Sequence, residues 1–457
     1  MFRKNAWKKY EDQTPVMEFN EGYKQFISYG KTERLVVKEA IPMLEEKGFV
    51  NGETKKTIRP GDKIYFVNRN KNVAAFIIGK KPLSEGLRIL GAHIDSPRLD
   101  FKENPIYEDH GFVLGDTHYY GGVKKYQWVT IPLALHGVVV KKDGTSVEVN
   151  IGEDPNDPVV GITDLLIHLA ADQLQKPGAK VIEGEALDVS LGSIPLDGED
   201  VKDPSKANVL AILKEKYGIE EEDFISAEIE ITPAGPARDY GIDRSMVAGY
   251  GHDDRVCAYT SLKALLDTPA DQVEYTACAI LVDKEEIGSV GATGAQSLFF
   301  ENLIARLAKL TGATDALYVA RCVLANSKML SSDVSAGYDP LYAGVNEPKN
   351  AAYFGQGLVF NKYTGARGKS GSNDANPEYY AWIRNAMDEA GVHWQSSELG
   401  RVDQGGGGTI AYILGNYNMN VIDAGIHVHN MHAPMEIVSK VDVFEAYLGY
   451  KAFLIAK

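Results

Sequence analysis

A chain of 457 residues is long enough for two or three domains, and 44% hydrophobic with 24% charged residues is ordinary for a globular protein. A formal net charge of −15 argues against a broad nucleic-acid surface, which needs clustered Lys and Arg. No run of about 18 apolar residues occurs, so no membrane span is expected. The start, Met1-Phe2-Arg3-Lys4-Asn5-Ala6-Trp7, carries charges with no apolar core after them. Cys257, Cys278 and Cys322 are too scattered for a disulfide framework or a metal knuckle, and a reducing cytoplasm suits them.

In chain order, residues 19–47 have helical spacing, with Phe26, Leu35, Val36, Ala40 and Leu44 on one face. Residues 63–67 and 73–78 read as strands around a polar turn, and 87–90 as a third. Residues 111–151 are rich in Val, Tyr and Leu with regular turn signals, which predicts β-structure. A helix is expected over 164–174, with Asp164 at its positive end. Residues 183–206 read as an exposed loop and 227–231 as a strand. Beyond Asp253, strands at 273–282, 358–362 and 421–426 alternate with helices at 254–266, 292–310, 376–390 and 441–456. Such alternation means a sheet covered by helices on both faces. The expected architecture is α/β: a mixed sheet sandwiched by helices, built from residues 1–100 and 244–457, with an inserted, mainly β domain at 101–243.

Chemistry-bearing residues collect where strands end. Gly91-Ala92-His93-Ile94-Asp95-Ser96-Pro97 follows one apolar run, and Asp283-Lys284-Glu285-Glu286-Ile287-Gly288-Ser289 follows another. Gly251-His252-Asp253-Asp254-Arg255 precedes a helix. Ser331-Ser332-Asp333-Val334 and His427-Val428-His429-Asn430-Met431-His432 complete the set. A carboxylate left unpaired at a buried strand end costs several kcal/mol, on the order of a full desolvation penalty. Ligands of open α/β sheets sit at the carboxyl ends of strands. His, Asp, Glu, Asp and His in that order are the donors of a two-zinc hydrolase, with one carboxylate bridging. Two adjacent glutamates suggest a division of labour, one a ligand and the other a base. Paired metals about 3.5–4 Å apart clamp both oxygens of an acyl transfer, and zinc lowers the pKa of its water to about 7.

Each motif alone has a plainer reading. His93-x-Asp95 suits a structural hydrogen bond, Asp253-Asp254 an N-cap, Asp333 a turn, and Glu285-Glu286 an exposed helix start. Their joint order and shared position at strand ends outweigh these. Either Asp253 or Asp254 could bridge. Glycoside hydrolysis fits poorly, because its two carboxyls must flank a bond about 5–9.5 Å apart and the histidines would be idle. A zinc deacylase, or a shell-forming scaffold with a vestigial site, would carry the same residues.

The segments Gly-Ala-His-Ile-Asp-Ser-Pro, Asp-Lys-Glu-Glu-Ile-Gly-Ser, Ser-Ser-Asp-Val and Met-His-Ala-Pro-Met-Glu resemble, in order and spacing, the signatures of the aspartyl aminopeptidase / aminopeptidase I family. The resemblance implies a cytoplasmic aminopeptidase acting on short peptides, with acidic or apolar N-terminal residues released. It implies two Zn²⁺ per subunit on His93, Asp253, Glu286, Asp333 and His432, with Asp253 bridging; Co²⁺ and Mn²⁺ satisfy the same donors. Glu285 is then the general base and Asp95 the partner of His93. His168, in the segment 162–169, would reach a neighbouring subunit's substrate. The inserted domain would serve dimerisation or as a lid, in a tetrahedral dodecamer of dimers. Lys362, Arg367 and Lys369 could face an acidic substrate side chain or form a solvated loop. The glycines at 405–408 could wall the pocket or make a turn.

Overall fold

The computed structural model describes residues 5–198 and 201–457. The first four residues of the start, and 199–200 of the segment expected as a loop, lie outside the described residues. The chain divides into two compact units. One comprises the chain up to Asp95, Ala237–Met431 and Glu436–Lys457; the other comprises Ser96–Pro236 and His432–Met435.

The first unit is organised by four parallel strands. Leu87–His93 pairs with Thr276–Val282 on one side and Lys328–Ser331 on the other, and Asn420–Gly425 follows the latter. Asn72–Ile77 and Leu358–Asn361 add antiparallel on either flank, giving a mixed sheet of nine strands among the described residues. Near-continuous apolar runs form these strands because both faces are covered. Successive side chains alternate between two cores. Leu90, Ala92, Ala279, Leu281 and Leu330 pack with helices Thr14–Tyr29, Glu33–Glu46, His252–Leu266, Pro377–Glu389 and Lys440–Ile455. Leu87, Ile89, Ile280 and Met329 pack with Phe299–Leu310, Ala316–Asn326 and Ala411–Gly415. Helices thus cover both faces, as the alternation predicts.

Local differences from the expected elements have physical causes. The helix expected over 19–47 is two helices, broken at Gly30, Lys31 and Thr32, and the Thr32 hydroxyl caps the second by accepting from Leu35 N at 3.3 Å. The helix expected over 292–310 begins at Phe299. Ahead of it the chain folds back, with Thr293 Oγ1 donating to Asp283 at 2.6 Å, and a Cβ on Gly294 would overlap the Ser289 carbonyl oxygen.

The second unit holds a six-stranded sheet in the order Ser146–Ile151, Leu133–Val140, Ala227–Pro233, Arg98–Asp109, Phe112–Tyr120, Val189–Gly192, antiparallel throughout. The segment expected as a loop contains the strand Val189–Gly192 and the start of the helix Pro204–Tyr217. The helix expected over 164–174 does not form. Two 3-10 turns, Ile167–Leu169 and Gln173–Gln175, stand there instead. Asp164 accepts from Leu165 N and Gln173 Nε2 at 2.8 and 2.9 Å. Leu165, Leu166, Ile167 and Leu169 are all exposed, and so short a helix is marginal without an apolar face packed on a neighbour.

Candidate metal centre

The four parallel strands end together, so the residues following them share one edge of the sheet. Val282 stands opposite His93, and Ser331 opposite both Gly91 and Asp423. Ser332 N donates to Gly91 O at 2.6 Å, and a Cβ on Gly425 would overlap the Asp333 carbonyl oxygen. The loop bearing Asp333 is therefore pressed against the ends of two strands.

His93, Asp253, Glu285, Glu286 and Asp333 converge there. One oxygen or nitrogen from each of His93, Asp253 and Glu286 falls within 4.8 Å of the others, and the same holds for His93, Glu285 and Asp333, and for Asp253, Asp254 and Asp333. Asp253 belongs to two of these groups. His93 is 2% exposed. Its Nδ1 is 3.0 Å from the carbonyl oxygen of Asp95 and 3.2 Å from that residue's Oδ1. Nδ1 therefore donates to Asp95, which directs Nε2, 3.1 Å from Asp253 Oδ1, into the cluster.

Asp95 has a second task. Its carboxylate accepts the main-chain N–H groups of Glu285 and Glu286, each at 3.1 Å. The two glutamates form a single 3-10 turn, Glu285–Ile287, entered through Lys284 at φ +68° and left through Gly288 at φ +96°. Such a turn has little hydrogen bonding of its own, so the buried Asp95 fixes its direction. Glu285 Oε2 lies 3.9 Å from His93 Nε2.

The electrostatics call for a cation. Burial pushes Asp254 and Asp333 well above the usual carboxylate range, and neighbouring carboxylates add to it. Burial alone would lower His93, but hydrogen bonds to Asp253 and Asp95 outweigh it and raise its pKa. Asp254 Oδ2 accepts from His93 N at 3.2 Å, while its buried Oδ1 has no hydrogen-bond partner among the described residues. Three acids crowd one buried imidazole, and imidazole with carboxylates is a donor set for zinc. The residues fit a metal centre.

The remaining expected site residues lie in the second unit. His432 has φ +65° and its Nδ1 donates to the carbonyl oxygen of Gly122 at 2.8 Å. His168 is exposed on the turn Ile167–Leu169. Its neighbours in sequence gave no signal of the turn, because the apolar run reads equally as a helix.

Other candidates resolve as structure. His252 is fully buried with its Nδ1 on the Tyr23 hydroxyl, and burial pushes its pKa down to about 3. His429 binds the Tyr338 carbonyl at 3.1 Å and stacks on Phe354. Lys362 and Lys369 both bind Asp374, at 2.5 and 3.1 Å, so two of the three loop cations share one internal carboxylate. Gly405 and Gly406 are required by their own loop: a Cβ would overlap the Leu399 carbonyl oxygen at the first and lie 2.7 Å from Ala366 at the second. A cavity of about 240 Å³ beside them is lined by Tyr363, Arg367, Glu398 and Arg401. Sequence reasoning missed Glu436, whose Oε2 accepts from Asp253 N at 3.0 Å. Only its place within the Met-His-Ala-Pro-Met-Glu segment could have drawn attention to it.

Residues 26–454 match the family model described as aminopeptidase I zinc metalloprotease (M18). The chain is 58% identical over 457 residues to a probable M18 family aminopeptidase 1 of Clostridium acetobutylicum, covering 99% of this chain and 98% of that one. A crystal structure of an M18 family aminopeptidase from Thermotoga maritima superposes with a TM-score of 0.96, at 46% identity and with all of both chains covered. The mApe1 dodecamer structure from S. cerevisiae shares the fold, with a TM-score of 0.77 at 21% identity over 97% of each chain.

Proposed function

Since this chain belongs to the aminopeptidase I zinc metalloprotease family (M18), and is thus a metallo-aminopeptidase that hydrolyses peptide bonds, we propose that the acidic cluster around His93 is its catalytic centre. The observation that carries the reading is the convergence of His93, Asp253, Glu286 and Asp333 at the ends of parallel strands, with Glu285 beside them. His93, Asp253, Glu286, Asp333 and His432 would hold two Zn²⁺, with Asp253 shared between them. The tied Nδ1 of both histidines supports their use as Nε2 ligands.

Zinc bound there supplies Lewis acidity and a water of lowered pKa. The protein's own groups do the rest. Glu285, held by Asp95, takes a proton from the attacking water as the new C–O bond forms. It returns that proton to the amine nitrogen as the C–N bond breaks. His168, presented on an exposed turn, would donate to the substrate oxygen of a neighbouring subunit's site.

Short peptides are the proposed substrates, and a homo-oligomer, a tetrahedral dodecamer built from dimers, the proposed assembly. Leu165, Leu166, Ile167, Leu169 and Leu174 are 46–67% exposed within ten residues, and apolar surface of this kind marks a protein interface. No described helix is long and apolar enough to cross a membrane; the cytoplasm is the proposed location.

A panel of aminoacyl-anilides with acidic, apolar and basic residues, run beside metal counting per chain, tests the reading. Cleavage together with two zinc ions per chain is expected. A chain that holds zinc and cleaves no member would instead favour a deacylase or a scaffold.

A further inference from the structure

We propose that Glu436 is a positioning residue of the metal centre, holding Asp253 in place through its main-chain N–H. The inference rests on the reading of Asp253 as a ligand. The helix His252–Leu266 starts behind Gly251, at φ +75°, which has no side chain with which to cap it. The first N–H groups of a helix have no partner inside the helix. Asp253 and Asp254 also depart from helical backbone, at φ −80°, ψ 106° and φ −117°, ψ 25°. The helix's own hydrogen bonds therefore do not fix the two residues whose carboxylates join Asp333.

Glu436 does so from 183 residues away, with Oε2 3.0 Å from Asp253 N. It opens the strand Glu436–Ser439, which pairs antiparallel with Met246–Gly249 and sets Glu436 opposite Gly249. The capping carboxylate and the capped helix thus issue from two paired strands, a rigid base for both. Glu436 is 1% exposed. A buried carboxylate is costly unless its charge is met, and the positive end of a helix meets it. What this arrangement fixes is where the Asp253 carboxylate lies.

The test is the Zn²⁺ affinity of metal-free protein, measured against a chromophoric chelator, for the parent and for Glu436→Gln, Glu436→Asp and Glu436→Ala. The melting temperature of each metal-free protein and the absorption spectrum of its Co²⁺ form are recorded alongside. Losing the partner of a ligand typically costs 10–100-fold in metal affinity. That loss is expected for Ala and for Asp, whose shorter side chain cannot reach the N–H, with an altered Co²⁺ spectrum. Gln, which keeps an acceptor oxygen at the same reach, should restore most of the affinity and the parent spectrum. Should Ala fail to fold, the Asp and Gln variants decide. Parent affinity in Ala or Asp, or a loss in Gln as large as in Asp, would overturn the proposal alone. A parent that binds no Zn²⁺ would overturn the metal-centre reading together with it.

Discussion

Asp95 accepts the main-chain N–H of Glu285 at 3.1 Å while lying 3.2 Å from Nδ1 of His93. One buried carboxylate thereby sets both the imidazole and the turn that carries the glutamates. Replacing it by Ala should release both. The expected result is a 10–100-fold loss in metal affinity and a fall in kcat beyond what resupplied zinc repairs. Asn, which cannot accept two N–H groups and offset the imidazole's charge at once, should recover only part. Metal titration followed by steady-state kinetics separates the two effects.

Glu285→Gln removes the proposed base without removing a proposed ligand. Zinc content should stay at the parent value while kcat falls about 10²–10⁴-fold, the usual worth of a general base. A variant that loses its zinc in step with its activity would assign Glu285 to metal binding instead.

Metal affinity should rise with pH. Burial pushes Asp333 up, and His93 is raised against its burial by hydrogen bonds to Asp253 and Asp95, so in metal-free protein protons compete for the donors that zinc needs. Calorimetry in buffers of different ionisation enthalpy should show protons released on binding, with release diminishing as pH increases. Proton uptake on binding would contradict the arrangement.

Asp423 gives a stability prediction of opposite sense to ordinary surface acids. It is 2% exposed, accepts from Thr409 Oγ1 at 2.7 Å, and burial pushes its pKa up to about 6. Between the unfolded value near 4 and this folded value, the native state binds the proton and the unfolded state does not. Stability therefore falls as pH rises through this window, by on the order of 3 kcal/mol in total for about two units. Asp423→Asn keeps an oxygen for Thr409 and has no charge to bury. Denaturant unfolding of metal-free protein from pH 4 to 7 should show a shallower decline in the variant than in the parent.

The exposed turn at 165–169 should belong to an interface. Ile167 is 67% exposed, so Ile167→Asp has little cost within one subunit and a large one in an apolar contact. Light scattering should show a smaller particle, and activity should fall with it if His168 serves a neighbouring site. Unchanged mass would place the contact elsewhere.

The chain's own order of residues already determined much of this. Apolar runs of strand length, each ending in a charged motif, located His93, Glu286 and Asp333, because a strand covered on both faces must be apolar and its charges can appear only where it ends. Alternation of such runs with helices specified the layered α/β unit. Helix existence was legible at 252–266, 377–389 and 440–455 for the same reason. What the sequence left undetermined was whatever depends on a partner far along the chain. The apolar run at 164–174 reads as a helix, yet Leu165, Leu166, Ile167, Leu169 and Leu174 stay exposed, so it remains as turns. Lys362 and Lys369 read either as charges for a substrate or as a solvated loop until Asp374 is seen between them. Glu436 carries no local sign that it caps a helix beginning far earlier in the chain, at His252. Local pattern fixes which residues can be buried or charged; only the tertiary structure decides which donor meets which acceptor, since a hydrogen bond depends on distance in space and not on separation in sequence.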